Sequence, residues 1–423
     1  MNVLLIGSGG REHAIYTKIL QSPLLEEIYV YSGNGGIPEQ NRLRKEDVGD
    51  LFEDNYRKLI RWIREHEIDL VIVGPEQPLV DGIADAIKEY CLVFGPSREG
   101  AKIEGSKSWA RAFMERFGIP STKYQVFTQS KEAIEYLDHI SPPYVIKADG
   151  LAAGKGVTVT ENKEEAIQKI IQIVDHKIFG PYPVVIEEFL EGKEASVFGF
   201  CDGEKAILMQ AARDYKRAHD NNQGPNTGGM GSVTPVEYVD NHLMEFIQNE
   251  IFNKVIKGFQ ELGIKYHGIL YAGLMIKDNT ARVVEFNCRF GDPEIQALLP
   301  VLEEDLLKLC WNTASGTLSK EPLKFQNKVS MTVVLAANGY PNNYTKNIPL
   351  NKILDSVPED IFIFHAGTEY DPTTKTYYNT GGRILNITST GNSIEEVRTK
   401  IYSFLDNYRI PNTFYRKDIG ILY

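Results

Sequence analysis

The feature that most constrains this chain is its first hundred residues, where short apolar runs alternate with amphipathic stretches. NVLLI at 2–6, IYV at 28–30, DLVIVG at 69–74 and CLVFG at 91–95 read as strands. Helical patterns separate them up to about Leu20 and at 53–65 and 79–90. Strands spaced by helices are joined by crossovers, and crossovers make a parallel sheet covered on both faces. A small α/β unit follows, whose ligands belong at the C-terminal ends of its strands. Here those ends carry the Gly7–Arg11 loop, with Gly9 and Gly10, and the GPEQP loop of Gly74, Pro75 and Glu76.

Glycine loops ahead of helices offer N–H groups to a phosphate, and Arg11 is placed to assist; loop packing is the alternative use of the same glycines. Gly7 and Gly9 match the first two glycines of a dinucleotide fingerprint, but Glu12 stands at the third. The second strand, IYVYSG, also ends without the acidic residue that would hold an adenosine ribose. Both departures disfavour a nicotinamide-dependent oxidoreductase.

Past residue 100 the pattern changes. At 423 residues the chain exceeds the size of one growing core, so about two to four domains are expected. A polar segment at 96–106 leads into an amphipathic helix at 107–117, ended by Gly118 and Pro120. A compact α/β module follows at 125–190, with strands YVIKAD and PVVIEEF and a helix at 163–175. Alternation in KEASVFGFCDGEKAILMQAA and ILYAGLMIKDNTARVVEFN predicts two antiparallel hairpins, turning at Asp202–Gly203 and Asp278–Asn279. Residues 241–263 and EEDLLKLCWNTA read as helical, and MTVVLAANG opens a last α+β unit closing with a strand and helix. Asp214–Thr234, rich in Gly, Asn and charge, reads as the longest unstructured piece.

A net charge of −11 disfavours a nucleic-acid partner while permitting a local basic pocket. Four cysteines without CxxC spacing indicate reduced, mostly buried thiols. With no run of about eighteen apolar residues and no basic leader, a cytoplasmic protein without membrane contact is expected.

The chemistry is concentrated in loops. In IKADGLAAGKGV, Lys147 leaves a strand, and Gly150, Gly154 and Gly156 surround Lys155, a backbone able to fold over phosphates. The spacing is not that of a Walker A loop. Downstream, VVIEEFLEGKE supplies a strand edge at Glu187, Glu188, Phe189 and Leu190 able to recognise adenine, with Glu194 able to accept from a ribose. AARDYKRAHDNNQGPNTGGMG gathers Arg213, Asp214, Lys216 and Arg217 beside Gly228 and Gly229, suited to a phosphate or carboxylate, with Asp214 able to hold an ammonium. In VVEFNCRFGDPE the strand period of two puts Glu285 and Asn287 on one face, a carboxylate and an amide oxygen suited to Mg2+ or Mn2+; a solvated strand edge is the bland alternative. Arg289 and Asp292 follow in the same loop.

Together GSGGREHA, VGPEQPL, EGSKSWARAFM, VIKADGLAAGKGV, VIEEFLEGKEAS, GPNTGGMG, YAGLMI, VEFNCRFGDPE, FHAGT and RKDIG resemble, in order and over the whole chain, the phosphoribosylamine–glycine ligase (glycinamide ribonucleotide synthetase) family of the ATP-grasp superfamily. The resemblance implies an ATP-grasp fold of mixed α/β and α+β domains. Its parts are an N-terminal parallel-sheet domain at 1–101, a central domain at 102–124 and 191–325, a small lobe at 125–190, and a C-terminal α+β domain at 326–423. The implied reaction joins glycine to 5-phosphoribosylamine with ATP, through glycyl phosphate, in purine synthesis; another ATP-grasp carboxylate–amine ligase is the alternative.

Lys107 and Lys147 then look like phosphate ligands, Gly154, Lys155 and Gly156 like a mobile phosphate loop, and Glu187 to Leu190 with Glu194 like the adenosine site. Glu285 and Asn287 resemble the metal ligands for Mg2+ or Mn2+. Arg289, Asp214 and Lys155 would act in catalysis. Gly9, Gly10, Arg11, Gly74, Pro75, Glu76, Asp214, Gly228, Gly229, Arg289 and Asp292 would line the acceptor end. The loop reads ARDYKR where the family commonly has Gln-Asp-His-Lys-Arg, a departure at Arg213 and Tyr215. A monomer or weak dimer, with transient contacts to neighbouring enzymes of the pathway, is expected.

Overall fold

In the computed structural model, which describes residues 1–51, 54–152 and 156–421, the expected N-terminal unit is a five-stranded parallel sheet. Its strands β1 (Asn2–Gly7), β2 (Glu27–Ser32), β3 (Arg42–Leu43), β4 (Leu70–Val73) and β5 (Leu92–Phe94) lie in the order β3-β2-β1-β4-β5. Strand order reverses between β1 and β4, so the loops after them, Gly7–Arg11 and Gly74–Glu76, open into one crevice. Residues 96–106, read as a polar lead-in, contain a helix of their own, Arg98–Gly105, capped by Ser97. Ser106 then caps the helix Lys107–Arg116.

β6 (Tyr124–Phe127), β7 (Tyr144–Ala148), β8 (Val157–Thr160) and β9 (Val184–Glu187) form an antiparallel sheet in the order β6-β9-β7-β8, covered by the helix Lys163–Val174. Its core of Leu137, Ile146, Ile170, Ile173, Val184 and Ile186 is separate from the rest of the molecule. Lys147 and Glu187 sit on adjacent strands at the lip of this sheet.

β10 (Lys193–Asp202) and β11 (Ala206–Leu208) make the first expected hairpin. Next come β12 (Arg213–Asp214), β13 (Arg217–His219), β14 (Gln223–Asn226) and β15 (Gly231–Thr234). The reading of Asp214–Thr234 as unstructured is therefore corrected. β15 pairs with β18 (Val329–Ala337), a partner about a hundred residues away in sequence, which satisfies backbone groups that no local apolar pattern announces. β16 (His267–Lys277) and β17 (Thr280–Asn287) form the second hairpin, with Asp278 and Asn279 both at positive φ in the turn. The central sheet runs β11-β10-β16-β17.

The C-terminal sheet runs β12-β15-β18-β22-β19, with β19 (Ile361–His365) and β22 (Arg383–Gly391). The hairpin β20 (Thr368–Asp371) and β21 (Thr376–Asn379) stands beside it, and β23 (Thr413–Phe414) pairs with β18. Central and N-terminal sheets share cores, as where Phe94, Phe198, Phe200 and Phe290 meet. The small lobe and the C-terminal sheet each have a core of their own, while the N-terminal and central sheets share theirs.

Cys201, Cys288 and Cys310 are buried free thiols, and Cys91 is half-buried. No helix among the described residues is long and apolar enough to cross a membrane.

Candidate functional site

Strand alternation does what the sequence led us to expect at β17: Phe286 and Cys288 enter the core, while Glu285 and Asn287 face the cleft. Opposite Glu285 stands Gly273, where a Cβ would come within 3.3 Å of the Glu285 side chain. Lys216 Nζ lies 3.9 Å from Glu285 and 3.4 Å from Glu194, bridging the two carboxylates. Burial opposes ionisation of Glu285, yet Lys216, Lys147, Lys107 and Arg289 hold its carboxyl below the usual range. In the amide orientation that hydrogen bonding selects, Asn287 donates to Glu104 (3.2 Å) and to the Phe286 carbonyl (2.9 Å), leaving its oxygen to accept.

One side of the cleft rests on a buried ion cluster. Glu187 accepts from Arg111 Nε and Nη2 at 2.7 and 2.8 Å and pairs with Lys147 at 2.7 Å. Arg111 also donates to the Val283 carbonyl at 3.1 Å, tying the helix Lys107–Arg116, β9 and β17 together. Burial opposes the charge on Glu187, but Lys147 and Arg111 keep its carboxyl below the usual range; burial pulls Lys147 down. Glu187 thus turns its side chain into this cluster.

Glu188 uses its N–H on the Lys123 carbonyl (2.9 Å) and its carbonyl on Thr122 (2.7 Å). No hydrogen bond among the described residues engages the main chain of Phe189 or Leu190, which face a cavity of about 720 Å³ beside Met275 and Lys277. Lys107 reaches the Gly150 carbonyl at 2.8 Å, and the Asp149 carboxylate accepts from Ser106 and Ser108, which anchors the start of the glycine loop to that helix. Gly156 follows the loop, its carbonyl accepting from Ala148 N–H at 2.8 Å. Gly154 and Lys155 lie outside the described residues.

The other side is cross-linked by arginines. Arg289 pairs with Glu76 (3.0 Å) and Glu104 (2.9 Å) and donates to the Phe290 carbonyl (3.2 Å), so two of its five N–H groups remain. Burial opposes ionisation of Glu76, yet Arg289 and Arg11 hold its carboxyl down at about 2. Burial pushes Glu104 up. Asp292 pairs with Arg383 (3.1 Å) and accepts from Gln296 (2.8 Å) and Arg11 N–H (3.3 Å). Arg383 also binds the carbonyls of Gly228 (2.6 Å) and Asp292 (2.9 Å). Gly229 takes φ +110° and packs on Pro293 so closely that a Cβ would meet its ring at 2.3 Å.

The first glycine loop is occupied by the chain itself. Glu12 accepts from Gly9 N–H at 2.6 Å and from Arg11 Nε at 2.5 Å, and a Cβ at Gly74 would collide with it at 2.0 Å. A carboxylate therefore sits where a dinucleotide would put its pyrophosphate. Arg11 is itself buried, donating to the Phe290 carbonyl at 3.0 Å. Gly10 packs on Asn386 and Gln296, and Pro75 precedes the helix Glu76–Asp81.

Between the two sides stands Asp214, pushed up to about 7 by burial and the neighbouring Glu294, Glu194 and Glu285, against the pull of Lys216. Glu294 is buried, accepts from Ser196 at 3.1 Å and is likewise raised by burial.

Ion pairs and hydrogen bonds thus bring Glu76, Glu285, Asn287, Arg289 and Asp292 together with Glu104 and Lys216, while Phe189 and Leu190 line a cavity beside Met275 and Lys277. Sequence reasoning missed Arg111, Glu104, Glu294 and Arg383. Arg111 had a signal: it lies at i+4 from Lys107 on a helix face that continues to Met114, a charge among buried positions. Glu104 and Glu294 lay within the motifs EGSKSWARAFM and VEFNCRFGDPE, while Arg383 had no signal, because its partners lie far along the chain. Among the described residues, no three His, Cys, Asp or Glu side chains cluster as a metal site.

Three family models match the chain: Phosphoribosylglycinamide synthetase, N domain, at residues 1–104; its ATP-grasp (A) domain at 105–295; and its C domain at 330–421. A phosphoribosylamine–glycine ligase of Leptospira interrogans is 44% identical over 99% of this chain and 98% of its own. The crystal structure of phosphoribosylamine–glycine ligase from Thermotoga maritima superposes with a TM-score of 0.84 at 33% identity, covering 99% of this chain and 100% of that one. The biotin carboxylase domain of a Hydrogenobacter thermophilus carboxylase, described in complex with MgADP and bicarbonate, shares the fold, with a TM-score of 0.70 at 14% identity over 98% of this chain and 91% of that one.

Proposed function

The chain belongs to the phosphoribosylglycinamide synthetase family and is an ATP-dependent ligase joining glycine to phosphoribosylamine, and we propose how its cleft divides that work. The observation that carries the proposal is the course of β17 and its loop: within eight residues it passes from Glu285, ringed by lysines, to Arg289 and Asp292, cross-linked to the N- and C-terminal sheets.

Lys107, Lys147 and the glycine loop with Gly154, Lys155 and Gly156 face the ATP phosphates, offsetting charge on the transferring phosphoryl group. Phe189 and Leu190 offer the free main chain that a purine edge can use, and Glu194 the acceptor for a ribose hydroxyl. Glu187 and Glu188 hold this edge in place. Glu285 and the oxygen of Asn287 fit a hard divalent cation, Mg2+ or Mn2+: the carboxylate stays charged, and the Asn287 amide nitrogen is already committed. Two protein ligands leave room for phosphate oxygens and water, as Mg2+ prefers. When bound, that cation neutralises phosphate charge as phosphoryl transfer to the glycine carboxylate gives glycyl phosphate.

Arg289 orients the glycine carboxylate with its two remaining N–H groups, and Asp214 meets an amine. Gly9, Gly10, Arg11, Gly74, Pro75, Glu76, Gly228, Gly229 and Asp292 shape the wall for phosphoribosylamine. Arg11 acts there mainly through Glu12 and Phe290, since its guanidinium is engaged with both. The division into 1–101, 102–124 with 191–325, 125–190 and 326–423 follows the same logic, the small lobe at 125–190 closing on ATP to exclude water from the acyl phosphate. ADP release is the test. It should require ATP, glycine and phosphoribosylamine together and yield glycinamide ribonucleotide by mass; equal ADP without glycine overturns the reading.

A further inference from the structure

The loop between Ala212 and Thr234 hangs from an anchor at the far end of the chain. Tyr215 lies between Asp214 and Lys216; its side chain enters the C-terminal core, 3% exposed, while its two neighbours remain half-buried at the cleft. Main-chain bonds hold it on both sides, Tyr215 N–H to the Gly231 carbonyl at 3.0 Å and Met230 N–H to its own carbonyl at 2.8 Å. Its hydroxyl accepts from Gly420 N–H at 3.0 Å and donates to the Ile421 carbonyl at 3.4 Å.

Arg416, fully buried, lies over the same ring at 5.1 Å. Its guanidinium forms two 2.7 Å bonds to Asp418 and donates to the Arg217 carbonyl (3.1 Å) and to Asn222 (3.0 Å). Asp418 accepts in turn from Asn221 N–H at 2.9 Å, and Lys417 N–H donates to Asp220 at 2.7 Å. Arg213 stands 5.0 Å from the Tyr215 ring. The two positions at which the loop departs from the family pattern are therefore in contact with each other.

We propose that Tyr215 and Arg416 form a bolt by which residues 415–421 fix the direction of Asp214 and Lys216 in the cleft. Both are positioning residues: neither reaches the reacting atoms. Successive side chains on an extended strand point to opposite sides, so locking Tyr215 inward locks its neighbours outward. A guanidinium is needed at 416 because one planar fork serves Asp418, Asn222 and the Arg217 carbonyl together, which an ammonium cannot match. The proposal rests on the reading of Asp214 as part of the acceptor site.

Steady-state kinetics of the full-length protein test it, with Tyr215→Phe, Arg416→Lys and Asp214→Asn measured side by side. Tyr215→Phe keeps the ring and loses only the hydroxyl bonds, so it is the variant that preserves the fold. The expected result is a rise of about 3- to 10-fold in KM for glycine or phosphoribosylamine with Tyr215→Phe, larger with Arg416→Lys, and KM for ATP within about twofold. Equal shifts for ATP and acceptors, or a loss of active enzyme at unchanged KM, would overturn the bolt and leave a purely structural contact. Acceptor KM altered by Asp214→Asn alone likewise overturns it. Acceptor KM unmoved by Asp214→Asn overturns instead the reading on which it rests.

Discussion

The two sides of the cleft are built in opposite ways. On the side we propose for the nucleotide, charge is gathered around two cations and one carboxylate, Arg111, Lys147 and Glu187, spread over 77 residues. On the side we propose for the acceptor, Arg11, Arg289 and Arg383 clamp Glu12, Glu76, Glu104 and Asp292, and the Asp292–Arg383 pair joins the central loop to the C-terminal sheet. The first arrangement carries an excess of positive charge, as polyphosphate requires. The second is nearly neutral and rigid, suited to a small zwitterion whose two ends must be told apart.

The largest effect should come where the two sides meet. Glu285→Gln removes one charge at constant size and is expected to lower turnover by about 100-fold or more and to move magnesium dependence to higher concentration. Wild-type turnover and magnesium response in this variant would return Glu285 and Asn287 to an ordinary strand edge.

Arg111→Met should be the most destabilising substitution on the proposed nucleotide side, by about 3–5 kcal/mol, because it removes two bonds to buried Glu187 and leaves the Val283 and Val284 carbonyls without their donor. Chemical denaturation measures it. Lys147→Met leaves the Arg111–Glu187 pair intact and should destabilise far less.

Asp214 sharpens the contrast through pH. Its folded value of about 7 lies above the ordinary 3.8. The fold therefore favours its protonated form, and burying this carboxyl weighs against folding increasingly as pH rises from 3.8 to about 7, then levels off. Asp214→Asn should gain stability relative to the parent as pH rises from 3.8 to about 7, with a constant difference above that, while weakening acceptor use. A stability difference independent of pH would contradict the assignment. The smallest effect is expected at Arg11: Arg11→Ala should weaken phosphoribosylamine use by about 3- to 10-fold with ATP affinity nearly intact, acting through the freed Glu12.

Legibility in the sequence followed the same divide. Periodicity announced the parallel sheet, both hairpins and the shared face of Glu285 and Asn287, because each depends on neighbours a few residues away. The strand ending at Glu187 was visible for the same reason, but its reading as an edge is corrected: β9 lies between β6 and β7, and the Glu187 side chain turns inward to Arg111. The acceptor wall was visible only as isolated motifs. Glu12 looked like a broken fingerprint, and its role in filling the crevice required Gly74, 62 residues on, to be beside it. Residues 214–234 looked unstructured because the strand that pairs with them, β18, lies beyond residue 328.

The most direct measurement of this division of labour is KM for ATP and for glycine in Lys147→Met and Arg289→Ala, determined together. The account predicts a double dissociation: Lys147→Met raises KM for ATP by about tenfold or more with glycine nearly unaffected, and Arg289→Ala does the reverse. If both variants raised both constants to the same extent, the two sides of the cleft would not be separate sites, and the account would be wrong.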